Sequence, residues 1–314
     1  MQRKLKIKLL VIQLLSILPF LIFIFYLFDL WYDSRRSSVL DDNIDQATTI
    51  VEFLNKSLDV ATTVGKVMAT NINVETILAK DENGLNGALR NINLIKPEFL
   101  TISILDRNGN FIAHSADLTP EEKLINYADR DYFQETLRTK KTFISNPVLG
   151  RVTKQSVVAI TVPVFKDEEI VAVVRISYSL DYLKGEIEKT IAESAYKTIF
   201  VLDRNNNIII LTNKPLLSEE EKSLFRDFDF IKTTRQNKRA YIENLTLPII
   251  NKPSIGASML ASEFGWVVVS VVPVSEIFAP IWKSQSAIWI IMLFAFLFSF
   301  SLLTYFLRKV KIVY

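Results

Sequence analysis

The sequence of 314 residues predicts an α+β fold in which one long helix is followed by two antiparallel-sheet modules, with a membrane-spanning helix at each end. Three observations lead to this prediction. An apolar run lies near each end of the chain, a proline-free stretch with helical periodicity follows the first run, and strand-rich segments with matching hairpins fill the middle. With 49% hydrophobic residues and a net charge of +3, the chain is too weakly basic to indicate nucleic-acid binding.

The residue inventory also leaves little material for catalysis. The chain has no cysteine, which excludes disulfides, thiolate catalysis and cysteine-ligated metals. Its single histidine, His114, is too little for a histidine-based metal site or a catalytic triad. We therefore expect no enzyme activity, no cofactor and no metal site in this chain.

Each terminal apolar run is long enough to cross a bilayer as a helix. Residues 9–30 and 287–307 each supply about 20 residues, which match roughly 30 Å of hydrocarbon. Basic residues precede the first run and follow the second, so residues 1–8 and 308–314 are predicted to be cytoplasmic and residues 31–286 extracytoplasmic. The sequence thus predicts a two-pass protein of the plasma or inner membrane. A cleavable signal peptide is the alternative for the first run, but its apolar core is too long and no small-residue cleavage site follows it.

Residues 33–80 are predicted to form a long stalk helix. Apolar side chains from Leu40 to Ile72 recur at alternating steps of four and three, as in a coiled-coil seam. A second apolar stripe lies beside this seam, which indicates two surfaces to bury. We expect a homodimer in which seam positions such as Leu54 and Leu58 contact a second copy; the alternative is that both stripes cover this chain's own sheets. The second stripe consists of Ile50, Phe53, Val60, Val64 and Val67.

The middle of the chain repeats itself after about 97 residues. An apolar strand, an Asp-Arg-Asn turn and a second apolar strand occupy residues 104–112 and again residues 201–209. A later pair of long apolar strands joined by a short polar turn occupies residues 158–180 and again residues 256–274. A repeat of this length is best explained by two duplicated domains rather than by solenoid units.

Two modules follow from this duplication, at residues 81–183 and 197–278, with a charged connector at residues 184–196. The first module contains the helix "DRDYF", the strand "TFIS", the loop "NPV" and the strands "AITVPVF" and "IVAVVRISYSLDYL". This order of pieces resembles the membrane-distal module of double Cache sensor domains. Those domains are the extracytoplasmic input regions of bacterial chemoreceptors, sensor histidine kinases and diguanylate cyclases. The resemblance implies two PAS-like modules, the first membrane-distal and the second membrane-proximal.

The resemblance also implies a ligand site in the first module. In the amino-acid-binding branch of the family, an arginine followed by aromatic residues binds the ligand carboxylate, and a later aspartate binds the ammonium group. Arg130, Tyr132 and Phe133 match the first part, whereas Ser177 stands where the aspartate is expected. Because a neutral serine leaves a buried ammonium group without a counter-charge, a small carboxylate is a better candidate ligand than a plain amino acid. The two remaining candidate site residues, near positions where the family carries aromatic side chains, are Tyr127 and Val148.

The sequence leaves the roles of three residues open. Arg130 has neighbouring carboxylates with which it can form a surface ion pair instead of contacting a ligand. Arg175, near the end of an apolar strand, needs an acidic partner or an anion. His114 closes the first hairpin and is expected to lie at the surface.

The sequence therefore favours a membrane-anchored sensor that binds a small solute outside the cell and signals across the membrane to a cytoplasmic partner. Two alternatives remain. One is a ligand-free structural or accessory dimeric membrane protein. The other is the input half of a sensor kinase or diguanylate cyclase, because the few residues after the second apolar run leave no room for an output domain.

Overall fold

The computed structural model describes residues 2–79, 82–191, 196–212, 214 and 217–277, together with isolated positions between 290 and 305. The helices in this part of the chain are α1 (Gln2–Asn71), α2 (Val74–Leu78), α3 (Glu82–Ile95), α4 (Pro120–Lys123), α5 (Asp131–Thr139), α6 (Leu180–Thr190), α7 (Glu219–Ser223) and α8 (Asp229–Asn237). The strands are β1 (Phe99–Asp106), β2 (Phe111–His114), β3 (Phe143–Ile144), β4 (Val148–Leu149), β5 (Ser156–Lys166), β6 (Glu169–Ser179), β7 (Thr198–Leu202), β8 (Ile208–Leu211), β9 (Arg239–Thr246), β10 (Pro253–Ala261) and β11 (Trp266–Pro273).

Helix α1 is continuous over 70 residues, which corresponds to a length of about 105 Å. It therefore joins the predicted first span and the predicted stalk into one helix. The stalk was expected to reach residue 80, but α1 ends at Asn71. A new helix starts three residues later, at Val74. The Asn73 side chain caps its N-terminus by accepting a hydrogen bond from the Glu75 N–H (2.9 Å).

A search of the described helices for a stretch long and apolar enough to cross a membrane finds none. The prediction of a second span at residues 287–307 falls mostly outside the described residues. For the first predicted span, residues 9–30, most of the side chains lie outside them as well.

The strands form two antiparallel sheets with equivalent topology. The first has the order β2-β1-β6-β5-β3, with β4 also paired to β5, and the second has the order β8-β7-β11-β10-β9. In each module an early hairpin therefore lies beside a late hairpin, as the sequence repeat predicts. The predicted α+β class, one helix followed by two antiparallel-sheet modules, is confirmed.

Both sheets bury one face against α1. In the first sheet the residues that face the helix include Ile104 of β1, Val162 of β5 and Ile176 of β6. In the second sheet Val268 of β11 faces it. A single hydrophobic core runs along α1 from one sheet to the other. The α1 residues fully or almost fully buried in this core are Ala47, Ile50, Val51, Leu54, Leu58, Ala61 and Met68.

The seam expected at a dimer interface is thus used within the chain. Leu54 and Leu58 are 0% and 1% exposed and pack against the chain's own sheets, so the prediction that they contact a second copy is wrong. The second stripe is divided: Ile50 is buried in the same core, Phe53 packs at its edge, and Val67 is exposed. Heptad spacing identified a buried stripe correctly but did not identify what covers it.

The close approach of α1 to β5 at Gly65 gives a first testable prediction. A methyl group added at Gly65 would lie 2.9 Å from Val162 Cγ2, whereas one added at the exposed Gly87 of α3 would meet nothing within 4 Å. Gly87→Ala is expected to stabilise the protein by about 0.5–1 kcal/mol through helix propensity. In Gly65→Ala the same gain is opposed by overpacking, which costs about 1–3 kcal/mol. Urea unfolding of the two variants measures the difference, and equal stabilisation by both would contradict the contact.

Candidate ligand site

A row of polar side chains crosses the first sheet on the face turned away from α1. His114 pairs with Ser103 on the neighbouring strand, Ser103 pairs with Arg175, and Arg175 pairs with Thr161. Directly paired residues of antiparallel strands project to the same face, so these four side chains, here called the polar row, lie side by side. All four are buried, none more than 2% exposed. A polar row in the interior of a sheet is unusual and needs hydrogen-bonding partners.

The second module shows what this position contains when it serves only as core. The residues paired in the same order across its strands are Leu211, Phe200, Val269 and Ser258. The equivalents of His114, Ser103 and Arg175 are therefore all apolar, and they pack in a hydrophobic cluster with Phe225 and Phe230. The fold does not require polar residues at these positions, so their presence in the first module calls for another explanation.

Thr161 and Ser258, at the end of each row, are alike and have a structural role. The Thr161 hydroxyl lies 2.6 Å from that of Thr136 on α5, and the Ser258 hydroxyl lies 2.5 Å from that of Thr234 on α8. This contact holds a helix on each sheet in both modules. The residues that distinguish the first module are therefore His114, Ser103 and Arg175.

Arg175 is the most unusual member of the polar row. Within the described part of the chain it forms no ion pair, its Nε has no hydrogen-bond partner, and its Nη1 reaches only the Ser103 hydroxyl, at 3.5 Å. Its guanidinium carbon lies 4.4 Å from the centroid of the Tyr127 ring and 5.9 Å from that of Tyr132. Cation–π contacts offset only part of the cost of burying a charge. The guanidinium is thus a buried charge without an acidic partner among the described residues.

A cluster of aromatic side chains covers the polar row. Tyr127, Tyr132 and Phe133 are buried together, and Val148 packs against them. Tyr127 is fixed by its N–H, which donates to the Gly109 carbonyl at 2.9 Å; Gly109 has φ +80°, and a Cβ there would lie 2.4 Å from the Ala128 nitrogen. The Tyr127 hydroxyl has no partner among the described residues. The structure thus brings these four of the predicted site residues together.

Ser177 lies in the next row of the same sheet face. It pairs with Thr101, whose hydroxyl donates to the Ser177 hydroxyl at 3.0 Å, and both side chains are buried. In the second module the paired residues are Val271 and Thr198. The position where an ammonium-binding aspartate was expected therefore faces the site, but it carries a hydroxyl group.

Arg130 occupies the edge of the site rather than its interior. It precedes α5, is partly exposed, and donates from Nη2 to the Leu149 carbonyl at 3.0 Å, while its Nε is buried without a described partner. Among the described residues Arg130 forms no ion pair, and two neighbouring carboxylates have other partners: Asp129 pairs with Arg151, and Glu135 pairs with Arg138.

Arg151 and Asp129 join the two loops at this edge. The guanidinium donates to both carboxylate oxygens, at 2.8 and 2.6 Å, and lies 5.6 Å from the Tyr127 ring centroid. The hydrogen bonds and charge of Arg151 hold the pKa of Asp129 below its usual value. Tyr127 is therefore contacted by two guanidinium groups, one buried and one at the surface.

His114 was expected at the surface, but only 2% of it is exposed. Its Nδ1 lies 3.0 Å from the Ala116 nitrogen, its Nε2 has no partner among the described residues, and its ring stands edge-on to Phe111. Burial lowers its pKa from 6.5 to about 4, and the charge of Arg175 acts in the same direction. The expectation was wrong. Although β2 is the edge strand of the sheet, its side chains on the face away from α1 are covered by other residues.

Sequence reasoning understated Arg175 and omitted Thr101 and Ser103 from the site. A signal for them was available. In β1 and β6, otherwise strongly apolar strands, polar residues recur at every second position, 101 and 103 in one strand and 175 and 177 in the other. Such spacing places all of them on one sheet face.

A cavity between the two modules has a different character from the polar row. Its volume is about 560 Å³, and its walls include Val148 and Ile210. Its cationic side chains all have partners: Lys214, Lys222 and Lys184 pair with Glu221, Glu219 and Glu188, and Arg226 donates to the Asn207 side-chain oxygen. We place the candidate site at the polar row because an unpaired buried charge points to a ligand more strongly than volume does.

Comparisons with known proteins agree with this architecture. The family model for the Cache domain matches residues 33–281. Sporulation kinase D of Bacillus subtilis is 22% identical over 240 residues, which cover 76% of this chain and 45% of the relative, so the chain spans less than half the length of that protein.

Solved structures show the same fold. The ligand-binding domain of the Campylobacter jejuni chemoreceptor Tlp3 in complex with L-norvaline has a TM-score of 0.59 and 16% identity, covering 78% of this chain and 94% of that one. The sensor domain of the V. cholerae histidine kinase DctB has a TM-score of 0.57 and 14% identity, covering 76% of this chain and 98% of that one.

The low pKa of His114 predicts acid destabilisation of the ligand-free protein. Between pH 6.5 and 4 the histidine is protonated in the unfolded chain but neutral in the folded one. The unfolded state then binds more protons, so stability falls as the pH falls. From pH 7.5 to 5.0 the loss due to this residue should be about 2 kcal/mol.

His114→Asn is the matched variant, because its amide oxygen can replace Nδ1 as the acceptor for the Ala116 N–H. Urea unfolding of both proteins at the two pH values measures the difference. Equal losses in wild type and variant would show that His114 is not held neutral by the fold.

Proposed function

The chain belongs to the Cache-domain family, and from that premise we propose that it is the input region of a membrane-anchored sensor that binds a small carboxylate at the polar row. In this proposal residues 81–183 form the membrane-distal ligand module, and residues 197–278 form the membrane-proximal module. The observation that carries the proposal is Arg175, a buried guanidinium without an acidic partner in the described part of the chain.

The chemistry of the site favours an anion that lacks an ammonium group. Arg175, the Tyr127 hydroxyl and the Ser103 hydroxyl all offer N–H or O–H donors. No carboxylate belongs to the polar row, and Ser177 stands where an amine-binding aspartate is expected. The Tlp3 domain is bound to L-norvaline, an amino acid. An amino acid at this site would leave its ammonium group buried and unpaired, which is costly.

Arg130 has a supporting role in this proposal. Its Nη2 is engaged by the Leu149 carbonyl, so it fixes the loop that covers Tyr127 and adds positive charge at the edge of the site. Tyr132, Phe133 and Val148 supply the apolar wall. The charge of the ligand is thus paired mainly by Arg175 and only secondarily by Arg130.

We place the chain in the membrane through residues 9–30 and 287–307, with the region between them extracytoplasmic and a second copy and a cytoplasmic partner completing the receptor. Support comes from the apolar runs, their basic flanks and the family. The competing function, a ligand-free structural protein of the same fold, gives no reason for a buried unpaired arginine. Sporulation kinase D, of which the chain spans 45%, makes a kinase output the natural continuation of the signal.

Arg204 provides a contact through which the distal site can act on the proximal module. It lies in the turn between β7 and β8, donates from Nη2 to the Ile144 carbonyl at 2.8 Å, and sits 5.2 Å from the centroid of the Phe143 ring. Its Nε donates to the Phe264 carbonyl of its own module, also at 2.8 Å. Phe143 in turn packs against the aromatic cluster that covers the polar row. Two contacts therefore connect the site to the second module: Phe143 with the aromatic cluster, and Arg204 with Phe143 and the Ile144 carbonyl.

Arg175→Met tests the ligand site directly. Thermal-shift screening of the full chain with small mono- and dicarboxylates should identify stabilising ligands. In Arg175→Met these should bind on the order of 10² to 10³ times more weakly, because the ligand anion loses its charged partner. The ligand-free variant should be at least as stable as wild type, since a buried unpaired charge has been removed.

Two variants control this experiment. Arg138→Met removes an exposed arginine that pairs with Glu135, and it should leave affinity unchanged. Arg130→Ala should weaken binding less than Arg175→Met does. Unaltered carboxylate affinity in Arg175→Met would disprove the proposed site, and failure of every carboxylate to stabilise wild type would favour the structural protein.

Arg204→Ala tests the route between the modules. Hydrogen exchange of the β7–β8 turn should slow when a stabilising carboxylate is added to wild type, and this response should be lost in Arg204→Ala while ligand affinity stays within about twofold. Arg226→Ala, which removes a contact to Asn207 within the second module, is the control and should keep the response. An unchanged response in Arg204→Ala would exclude this route.

A further inference from the structure

His114 is the member of the polar row whose chemistry the proposed carboxylate site leaves unused. It pairs with Ser103 on one side of the row, and Arg175 pairs with Ser103 on the other. Since neighbouring strands are about 4.8 Å apart, His114 and Arg175 are separated at their backbones by roughly 10 Å, with only the short serine side chain between them. The imidazole and the guanidinium thus lie on the same sheet face, with Ser103 between them in the row.

The hydrogen bonds of the ring define which nitrogen carries the proton. The Ala116 N–H can only donate, and it lies 3.0 Å from Nδ1, so Nδ1 of the neutral ring is an acceptor. The proton must then be on Nε2, which is buried and has no acceptor among the residues described. The neutral ring therefore presents an unused N–H donor.

The backbone is also arranged to accept a second proton. The same Nδ1 lies 3.2 Å from the Ala116 carbonyl oxygen. When Nδ1 is protonated it can donate to this oxygen instead of accepting from the Ala116 N–H. Both protonation states thus have a backbone partner, and Nε2–H remains a donor in both.

The second module again provides the comparison. Leu211 occupies the position of His114 and is part of an ordinary hydrophobic cluster. A leucine would fill the space in the first module as well, so packing does not explain a histidine whose Nε2 is unpartnered. The polar ring is retained where the row also contains Arg175.

On these grounds we propose that His114 is a second ligand contact of the carboxylate site, donating from Nε2 to the bound anion and taking up a proton from solvent when the anion binds at mildly acidic pH. The inference rests on the proposed function. It makes the module a sensor in which the affinity for its anion increases as the pH falls.

The charges around His114 explain the direction of this coupling. Two charged groups act on the ring: Arg175 on β6 disfavours its protonation, and Glu122 on α4 favours it. Tyr127 adds no charge in this pH range, because burial raises its pKa above 10.0. An anion beside Arg175 neutralises the repulsion and adds an attraction, so protonated His114 is favoured in the complex. By linkage, each unit by which the anion raises the histidine pKa corresponds to tenfold tighter binding by the protonated protein.

The single histidine makes the experiment direct. In the full chain labelled with ¹³C-histidine, the imidazole signal belongs to His114 without further assignment. Its titration between pH 4 and 7.5 is followed in chloride, and then with acetate and with succinate as probes at matched ionic strength. Thermal stabilisation is measured on the same samples. We expect both probes to raise the pKa of His114, and to do so in wild type but not in Arg175→Met.

Two substitutions separate the donor from the proton. His114→Gln keeps an N–H donor near the Nε2 position but does not titrate, so its affinity for the ionised probes should not increase as the pH falls. His114→Asn keeps the contact to Ala116 but lacks the donor at Nε2, and it should bind roughly tenfold more weakly.

The outcomes separate the two proposals. If a carboxylate stabilises wild type through Arg175 but leaves the His114 titration unchanged, this inference is overturned and the carboxylate site stands. The same pH dependence of affinity in His114→Gln as in wild type would also overturn it. If neither probe changes stability or the histidine signal, the carboxylate site fails and the inference fails with it.

Discussion

The packing of both sheets against one helix is the constraint on which the rest of this structure depends. The buried stripe of α1 belongs to a single hydrophobic core that contains residues of both modules, such as Val174 and Val268. Because side chains alternate across a strand, burying one face of the first sheet against α1 assigns the other face to α5 and the loops around it. The proposed ligand site therefore lies on the face away from α1, and the sheet separates it from the helix.

The two modules show how a duplicated fold divides stability and binding between its copies. In the second module Phe200 and Val269 fill the face opposite α1 and make it an ordinary core. In the first module Ser103 and Arg175 occupy those positions, so hydrogen-bond donors replace buried apolar side chains there. Such a substitution destabilises an isolated domain, since a buried unpaired charge costs several kcal/mol.

Periodicity in the sequence predicted the elements well, because periods of two and of 3.6 reflect backbone geometry directly. It predicted that Leu54 and Leu58 are buried but not which surface buries them, since a heptad stripe looks the same against a sheet as against a second helix. The separate helix α2 after Asn71 begins at a local side-chain cap, Asn73, which a wide-window pattern does not detect.

The candidate site was predicted from a motif, and this explains which residues the prediction included. The motif placed Tyr127, Tyr132 and Phe133 in one module, and the structure brings these three side chains together. It directed attention to Arg130 because that residue belongs to the pattern. The importance of Arg175 and the burial of His114 follow from strand register, which pairs residues as far apart in sequence as Ser103 and Arg175. Register between distant strands depends on the whole sheet, and a single sequence does not reveal it.

The unpaired guanidinium also indicates where the energy for a signal would come from. A ligand shifts a protein between states only to the extent that it binds them with different affinity. In the ligand-free state Arg175 is desolvated and unpaired, so an anion that pairs with it removes a cost carried by this arrangement of the site. Loops joined by Arg151 and Asp129 close one edge of that arrangement, and β3, held by Arg204, borders another. If a carboxylate binds as proposed, we expect the largest change in stability in the segments that connect the site to the second module, rather than in the core along α1.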